Sequence, residues 1–164
     1  MKSKKLILIA FFVFFMGSFS IAQTYEYIGV AKCKTCHNTP TKGDQYKIWA
    51  ASKHANAMKV LSATEAKNPK CTKCHSTAAG ADPNLLTETI TVEEGVSCES
   101  CHGPGSAYKT IPIMKDKDMA IKNGLKLPDE KTCKKCHNEE SPNYKGFNYQ
   151  EYFAKIAHLR PAAE

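Results

Sequence analysis

Arginine is almost absent from this chain of 164 residues, in which Arg160 is the one example. The formal net charge is +7 at pH 7, but the lysines behind it are spread along the sequence and do not alternate with aromatic residues. Proteins that bind nucleic acids usually concentrate basic residues on one face or along one helix. We therefore expect no nucleic-acid partner, and we expect most lysines to lie on a solvated surface.

Long apolar runs are absent beyond the first 22 residues. Within that segment, the apolar run 6–16 follows three lysines, and Ser20 and Ala22 fit the −3 and −1 positions of a signal-peptidase site. We predict a cleaved signal peptide at 1–22, a mature single domain at 23–164, and a periplasmic or extracellular location. The alternative is an uncleaved membrane anchor, for which the apolar stretch ending at Ala22 is short.

No cysteine lies outside one repeated motif, C-x-x-C-H. The motif occurs four times, at residues 33–37, 71–75, 98–102 and 133–137. An exported protein would ordinarily use its cysteines in disulfides, but this spacing is that of c-type haem attachment. The two thiols of a motif add to the two vinyl groups of one porphyrin, and the imidazole that follows can then bind the iron as its proximal ligand.

The motifs predict four covalently bound haems c. The residues that attach them are Cys33, Cys36, Cys71, Cys74, Cys98, Cys101, Cys133 and Cys136, and the proximal iron ligands are His37, His75, His102 and His137. Two Cys₄ zinc sites would also account for eight cysteines, but they would leave the histidine after every pair unexplained. A redox-active C-x-x-C motif would normally occur once, near a βαβ pattern that this sequence lacks.

The mature chain supplies only about 35 residues for each predicted haem. That is too few to build an ordinary apolar core around each one, so we expect the porphyrins to form most of the core and the thioether bonds to act as staples. The segments between motifs are rich in Lys, Asn, Pro, Thr and Gly, which favour loops. The predicted fold class is therefore mainly α with long loops and little or no β structure, a small multihaem cytochrome c fold.

Apolar residues at helical spacing predict two clear helices, at 45–61 and 149–159, and a weaker third helix at 117–123. The first helix carries His54 beside its apolar stripe, and the second carries His158 on its last turn. No other histidine lies outside the motifs. A lone histidine usually binds no metal, but a small domain with four irons leaves few places for a buried imidazole away from one. We predict that both are distal ligands, on two different haems.

Three regions of the sequence follow known patterns. In 32–61 the motif is followed by W-x-x-S-x-H, residues 95–105 read GVSCESCHGPG, and the fourth motif is followed by 141–146 and 155–158. In these regions the chain resembles the c-554-type tetrahaem cytochrome c family, which is related to the nitrifier tetrahaem electron carrier. The resemblance implies that His54 and His158 are distal ligands and that the haems form closely stacked pairs. It also implies that the second-motif haem lacks a distal ligand.

The chain departs from that family after the third motif, where family members commonly have another distal histidine and residues 103–114 contain none. Four irons offer eight axial positions, and the chain has six histidines, so at least two irons lack a second imidazole. Met114 is the best substitute, and we expect it at the third-motif haem, although it could instead fill the core. Met119, Tyr108 and Lys109 are weaker alternatives.

Two classes of function remain open. An electron carrier needs only closely spaced haems and exposed haem edges, with donor and acceptor cytochromes or a membrane quinol-oxidising complex as redox partners. A redox enzyme acting on nitric oxide, nitrite or hydroxylamine at an open iron would also need positioned acid–base groups, and no spare histidine is available for this. A homo-oligomer or a subunit of an extracellular cytochrome filament would be electron transfer in another assembly. We expect the carrier.

Overall fold

The computed structural model describes residues 24–159 of the chain. Within them lie nine α-helices: α1 (Val30–Lys34), α2 (Gln45–Ala50), α3 (Pro69–His75), α4 (Thr77–Gly80), α5 (Cys98–His102), α6 (Ile111–Lys115), α7 (Lys117–Lys122), α8 (Glu130–Lys134) and α9 (Tyr149–Ile156). Single 3-10 turns lie at Pro40–Lys42, Ala57–Val60, Glu65–Lys67, Pro83–Leu85 and Val92–Glu94. Residues 24–159 contain no β-strand, and one isolated bridge joins Tyr27 to Leu86. The predicted mainly α fold with long loops is confirmed.

The predicted signal peptide, residues 1–22, lies outside the described part of the chain. Among the helices of residues 24–159, none has the length and apolar character needed to cross a membrane.

The four C-x-x-C-H motifs lie on four of the short helices, namely α1, α3, α5 and α8. In α3 and α5 the motif is helical as far as its histidine. In α1 and α8 the helix ends earlier, but the amide of the motif histidine still donates to the carbonyl of the first cysteine, at 3.0 Å in both. One helical turn places residues three and four positions apart on the same side. Each motif therefore presents two thiols and one imidazole in one direction.

Helix α2 begins at Gln45, as predicted, but it ends at Ala50, well before the predicted end. Hydrogen bonds to a distant segment account for the difference. The His54 carbonyl accepts from the amide of Val96 at 3.0 Å, and the Trp49 indole donates to the Val96 carbonyl at 2.8 Å. A continuous α-helix would instead use the His54 carbonyl for the amide four residues later. The chain therefore turns after α2 and joins the segment that precedes the third motif.

Helix α9 begins at Tyr149, where the Asn148 side chain caps it by accepting a backbone amide, and it ends at Ile156. His158 consequently follows the helix on extended chain and does not lie on its last turn, as the sequence had predicted. The weaker predicted helix is confirmed as α7, one residue shorter than expected.

The apolar core of the described residues is small. Its buried hydrophobic side chains are those of Ile28, Ala78, Ile90, Tyr108 and Ala120. Ile28 belongs to an N-terminal segment held by backbone hydrogen bonds, because the Tyr27 amide donates to Leu85 at 2.7 Å and the Tyr27 carbonyl accepts from Thr87 at 3.0 Å. So few buried apolar side chains agree with the expectation that the haems supply most of the core.

A junction of three segments lies at Gly95, directly before the third motif. The Gly95 carbonyl accepts from the Thr77 amide at 2.9 Å, and the Ser97 amide donates to the Thr77 hydroxyl at 2.7 Å. Gly95 has φ of 69°, and a Cβ built there would lie 2.6 Å from the His54 carbonyl oxygen and 3.0 Å from that of Ala55. Only glycine allows the three segments to approach this closely.

The first prediction compares two glycines that both have positive φ. Gly95 has φ of 69° and Gly146 has φ of 92°, but a Cβ at Gly146 would meet nothing within 4 Å. A positive φ costs either alanine variant about 1–3 kcal/mol, and only Gly95→Ala adds an overpacking cost of about 1–3 kcal/mol. Guanidinium unfolding of the mature protein should therefore show the larger stability loss for Gly95→Ala. Equal losses in the two variants would contradict the close approach at Gly95.

Candidate haem-binding sites

All eight cysteines lie in the described region, and none of them forms a disulfide. Residues 24–159 also contain no group of three or more His, Cys, Asp or Glu side chains that could together hold a metal ion. The Cys₄ zinc sites that the cysteine pairs alone would allow therefore have no counterpart in the arrangement of these side chains. The thiols are left available for attachment to porphyrin.

The motifs approach one another in two pairs. The Cys33 thiol of the first motif lies near the Cys98 thiol of the third, and this neighbouring thiol, followed by burial, raises the pKa of Cys33. Cys136 of the fourth motif lies against Cys74 of the second, and burial, together with that neighbouring thiol, raises the pKa of Cys136 to about 12. The first motif therefore lies beside the third, and the second beside the fourth.

Both histidines outside the motifs face a motif histidine. The ring centroids of His54 and His137 are 5.9 Å apart, with an interplanar angle of 72°. Those of His102 and His158 are also 5.9 Å apart, with an interplanar angle of 66°. Metal–imidazole bonds are about 2 Å long, so two imidazoles that share one metal have ring centroids about 6 Å apart. Each pair thus has the separation that one iron between two imidazoles requires.

Backbone carbonyls fix the orientation of three of the imidazoles. The Nδ1 atom of His75 lies 2.7 Å from the Ala57 carbonyl oxygen. That of His102 lies 3.1 Å from the Lys126 carbonyl oxygen, and that of His158 lies 2.8 Å from the Ile156 carbonyl oxygen. A carbonyl can only accept, so Nδ1 carries the proton and donates in each case. Nε2 is then left with a free lone pair, which is the tautomer that binds a metal.

Burial also favours the neutral form of several rings. Burial lowers the pKa of His54, with a smaller contribution from the nearby His137. Burial likewise lowers the pKa of His102 and of His137. Only a neutral imidazole can donate a lone pair to a metal, so these environments hold the three side chains in their ligating form.

The third-motif site is an apolar cavity. Its lining includes both thiols of the motif and both facing imidazoles. The residues that line it are Gln45, Trp49, His54, Val96, Ser97, Cys98, Cys101, His102, Ile156 and His158. The hydrogen bond from the Trp49 indole to Val96 fixes that ring in the cavity wall. The chemistry of this lining, with two thiols and two imidazoles in an apolar wall, therefore suits the attachment of a haem by the third motif.

Aromatic side chains surround the fourth-motif histidine. Phe147 stacks on His137 with ring centroids 4.8 Å apart, and Tyr152 stacks on Phe147 at 5.2 Å. A cavity of about 260 Å³ opens beside them, lined in part by Cys136 and Tyr144. The sequence did not single out Phe147, whose position just before α9 was the available signal.

Met114 is half-buried on α6 and is not among the residues that line the third-motif cavity. His158, from the chain after α9, faces His102 there. Met114 as an iron ligand, at this haem or at another, stays a prediction. Tyr108 is not a free ligand, since its buried hydroxyl donates to the Gly103 carbonyl at 2.7 Å.

Comparison with known proteins gives two matches. Residues 32–103, which contain the first three motifs, match the family model described as cytochrome c554 and c-prime. The curated protein cytochrome c-554 from Nitrosomonas europaea is 29% identical over 157 aligned residues, which cover 77% of this chain and 64% of that protein. The chain thus spans less than two thirds of the length of this relative. No solved structure matches the chain. The chain is therefore similar to proteins of the cytochrome c554 family, in residues 32–103 by the family model and at 29% identity over most of its length.

Proposed function

We propose that residues 23–164 form an exported tetrahaem electron carrier. The observation that carries this proposal is the presence of two facing imidazole pairs, each joined to a haem-attachment motif and each at the spacing for one iron. Covalently bound haem supplies reversible one-electron exchange at its iron. The chain contributes the thiols, the axial imidazoles in the correct tautomer, and the packing that brings the four motifs together.

The facing pairs support the following proposal for the axial ligands. The third-motif haem takes His102 and His158, and the fourth-motif haem takes His137 and His54. These assignments use all the histidines outside the motifs, so the irons bound by His37 and His75 have no second imidazole. The two irons that lack one are therefore those of the first and second motifs, where sequence reasoning alone expected the second and third.

The contacts between sites support an order for electron relay. Thiols of the first and third motifs lie near each other, as do thiols of the second and fourth. His54, a ligand of the fourth haem, lines the cavity of the third. The haems would therefore follow one another in the order first, third, fourth, second. Electrons that tunnel between neighbouring haems in this order would pass from the first-motif haem to the second-motif haem.

Carrier function is favoured over catalysis because every histidine is assigned to an axial position and none remains as an acid–base group. The partners would be redox proteins, either donor and acceptor cytochromes or a membrane quinol-oxidising complex, met in the periplasm or outside the cell. An enzyme acting on a small nitrogen species and a filament subunit are the other candidates.

Intact mass spectrometry tests the number of haems. Protein produced in a host with haem-ligation machinery should have the mass of the chain from Gln23 plus four haems, because each motif has both of its thiols free for attachment. Replacing both cysteines of one motif by alanine should remove one haem mass and leave the other three. A colourless protein that binds zinc would contradict the proposed function.

Paramagnetic resonance of the oxidised protein tests the two imidazole pairs. His54→Ala and His158→Ala should each convert one low-spin haem to high spin and raise its reduction potential, because one of two strong axial ligands is lost. His54→Ala should affect the fourth-motif haem and His158→Ala the third. Met114→Ala, the matched control, should leave both of these low-spin signals unchanged. Parent-like spectra in both histidine variants would show that neither residue binds iron.

Carbon monoxide binding tests the irons that lack a second imidazole. The reduced parent protein should bind carbon monoxide rapidly at one haem or more, with the second-motif haem (His75) the first to respond. His158→Ala should bind one further equivalent of carbon monoxide, because loss of His158 leaves the third-motif iron without its second imidazole. Absence of rapid binding in the parent would show that other side chains complete both irons.

A further inference from the structure

One carboxylate inside a haem-attachment motif is buried. Glu99 lies between the two cysteines of the third motif, and only 1% of its surface is exposed. Its Oε1 accepts from the amides of Ile28 at 2.9 Å and Gly105 at 2.7 Å. Its Oε2 accepts from the amides of Gly29 at 2.8 Å and Ile28 at 3.1 Å. A buried polar group normally satisfies its hydrogen-bonding capacity, and this one does so with backbone donors only.

The pattern of donors is that of a carboxylate anion. Both oxygens of Glu99 receive N–H groups, whereas a protonated acid would need an acceptor for its own O–H. The pKa of Glu99 is raised, because burial outweighs the amides of Ile28, Gly105 and Gly29 and the nearby Lys109, which act in the opposite direction. The geometry of four N–H contacts on two oxygens is satisfied only by the charged form.

This charge lies between the first and third haem-attachment motifs. Glu99 is next to Cys98, whose thiol lies near that of Cys33 in the first motif. The amides that Glu99 accepts from Ile28 and Gly29 lead directly into α1, which carries Cys33. No contact of this kind joins Glu99 to the second or fourth motif among the hydrogen bonds of residues 24–159. The electrostatic effect of this charge is therefore strongest at the irons of the first and third motifs.

Gly105 makes the contact possible. A Cβ at that position would lie 3.2 Å from Glu99 Oε1 and 3.0 Å from Ile28 Cδ1, so a larger residue would push the amide away from the carboxylate. The Gly103–Gly105 segment thus serves to bring a backbone donor to Glu99.

We propose that the buried Glu99 carboxylate lowers the reduction potentials of the first- and third-motif haems relative to those of the second and fourth. The inference rests on the proposed attachment of four haems. Reduction removes one positive charge from an iron, and a nearby negative charge in a medium of low dielectric favours the oxidised form. With haems ordered first, third, fourth and second, the charge makes electron flow from the first pair to the second pair favourable. Glu99 is a positioning residue for α1 as well as the source of this field.

Two substitutions at one position separate charge from geometry. Glu99→Gln keeps the size of the side chain and removes the charge, whereas Glu99→Asp keeps the charge and shortens the side chain. Glu93→Gln, at an exposed neighbouring position, is the control for a surface charge. Each mature protein is first weighed for four haems, and its haems are then titrated by optical and paramagnetic-resonance potentiometry.

The expected result is an upward shift for two of the four haems in Glu99→Gln, one of them the low-spin haem of His102 and His158. Glu99→Asp should lose thermal stability but keep potentials close to those of the parent, and Glu93→Gln should change neither. If Glu99→Gln does not retain four haems, Glu94→Gln is used to test whether a carboxylate charge at the start of α1 acts on the first-motif haem. The Glu94 carboxylate accepts from the Val30 amide there at 3.0 Å. Glu94→Gln should raise the reduction potential of the first-motif haem.

The opposite results overturn the inference. Unchanged potentials in a four-haem Glu99→Gln protein would show that the charge does not act on the irons. Equal shifts in Glu99→Gln and Glu99→Asp would show that Glu99 acts only by holding α1 in place. An unchanged potential in Glu94→Gln, where that variant is needed, also counts against it. A parent protein without four haems would contradict the proposed function instead, so the two failures are distinguishable.

Discussion

The hydrogen bonds of the Gly95–Ser97 segment determine how the sites are arranged. This short segment precedes the third motif and binds two other parts of the chain, one around His54 and one at the start of α4. Because the His54 carbonyl is engaged by Val96, the chain leaves helical geometry and His54 reaches across to the fourth motif. One strip of backbone therefore relates the second, third and fourth motifs to one another, without a sheet or a large apolar core.

The first motif depends on a different interaction of the same kind. Its helix is too short to be stable alone, and its first amides are satisfied by Glu94 and by the buried Glu99. Both carboxylates come from the region of the third motif. Polar contacts between short helices thus replace the helix-on-helix apolar packing of an ordinary α domain, which agrees with a chain whose apolar interior is largely supplied by its cofactors.

The sequence predicted the mainly α fold, because local spacing and composition determine it. The counts of histidines and irons singled out His54 and His158 as distal ligands, which stays a prediction. The sequence could not show that His54 faces His137 or that His158 faces His102, since these contacts join segments far apart in sequence.

The predicted length of α2 was wrong for the same reason. Its apolar periodicity continues past Ala50, but a hydrogen bond to a distant segment interrupts the helix. Met114 was expected at the third motif, and the contact of His158 with His102 at that motif also depends on a distant segment.

The two imidazole pairs have a topological consequence. A metal shared by His54 and His137 closes the loop 54–137, and one shared by His102 and His158 closes the loop 102–158, so the two loops overlap across residues 102–137. Neither loop could open without disturbing a segment that the other holds. Closing long loops removes conformational freedom from the unfolded chain. Two overlapping loops restrict most of the described residues at once. Such a chain would unfold as one unit although its helices are short and its apolar core is small.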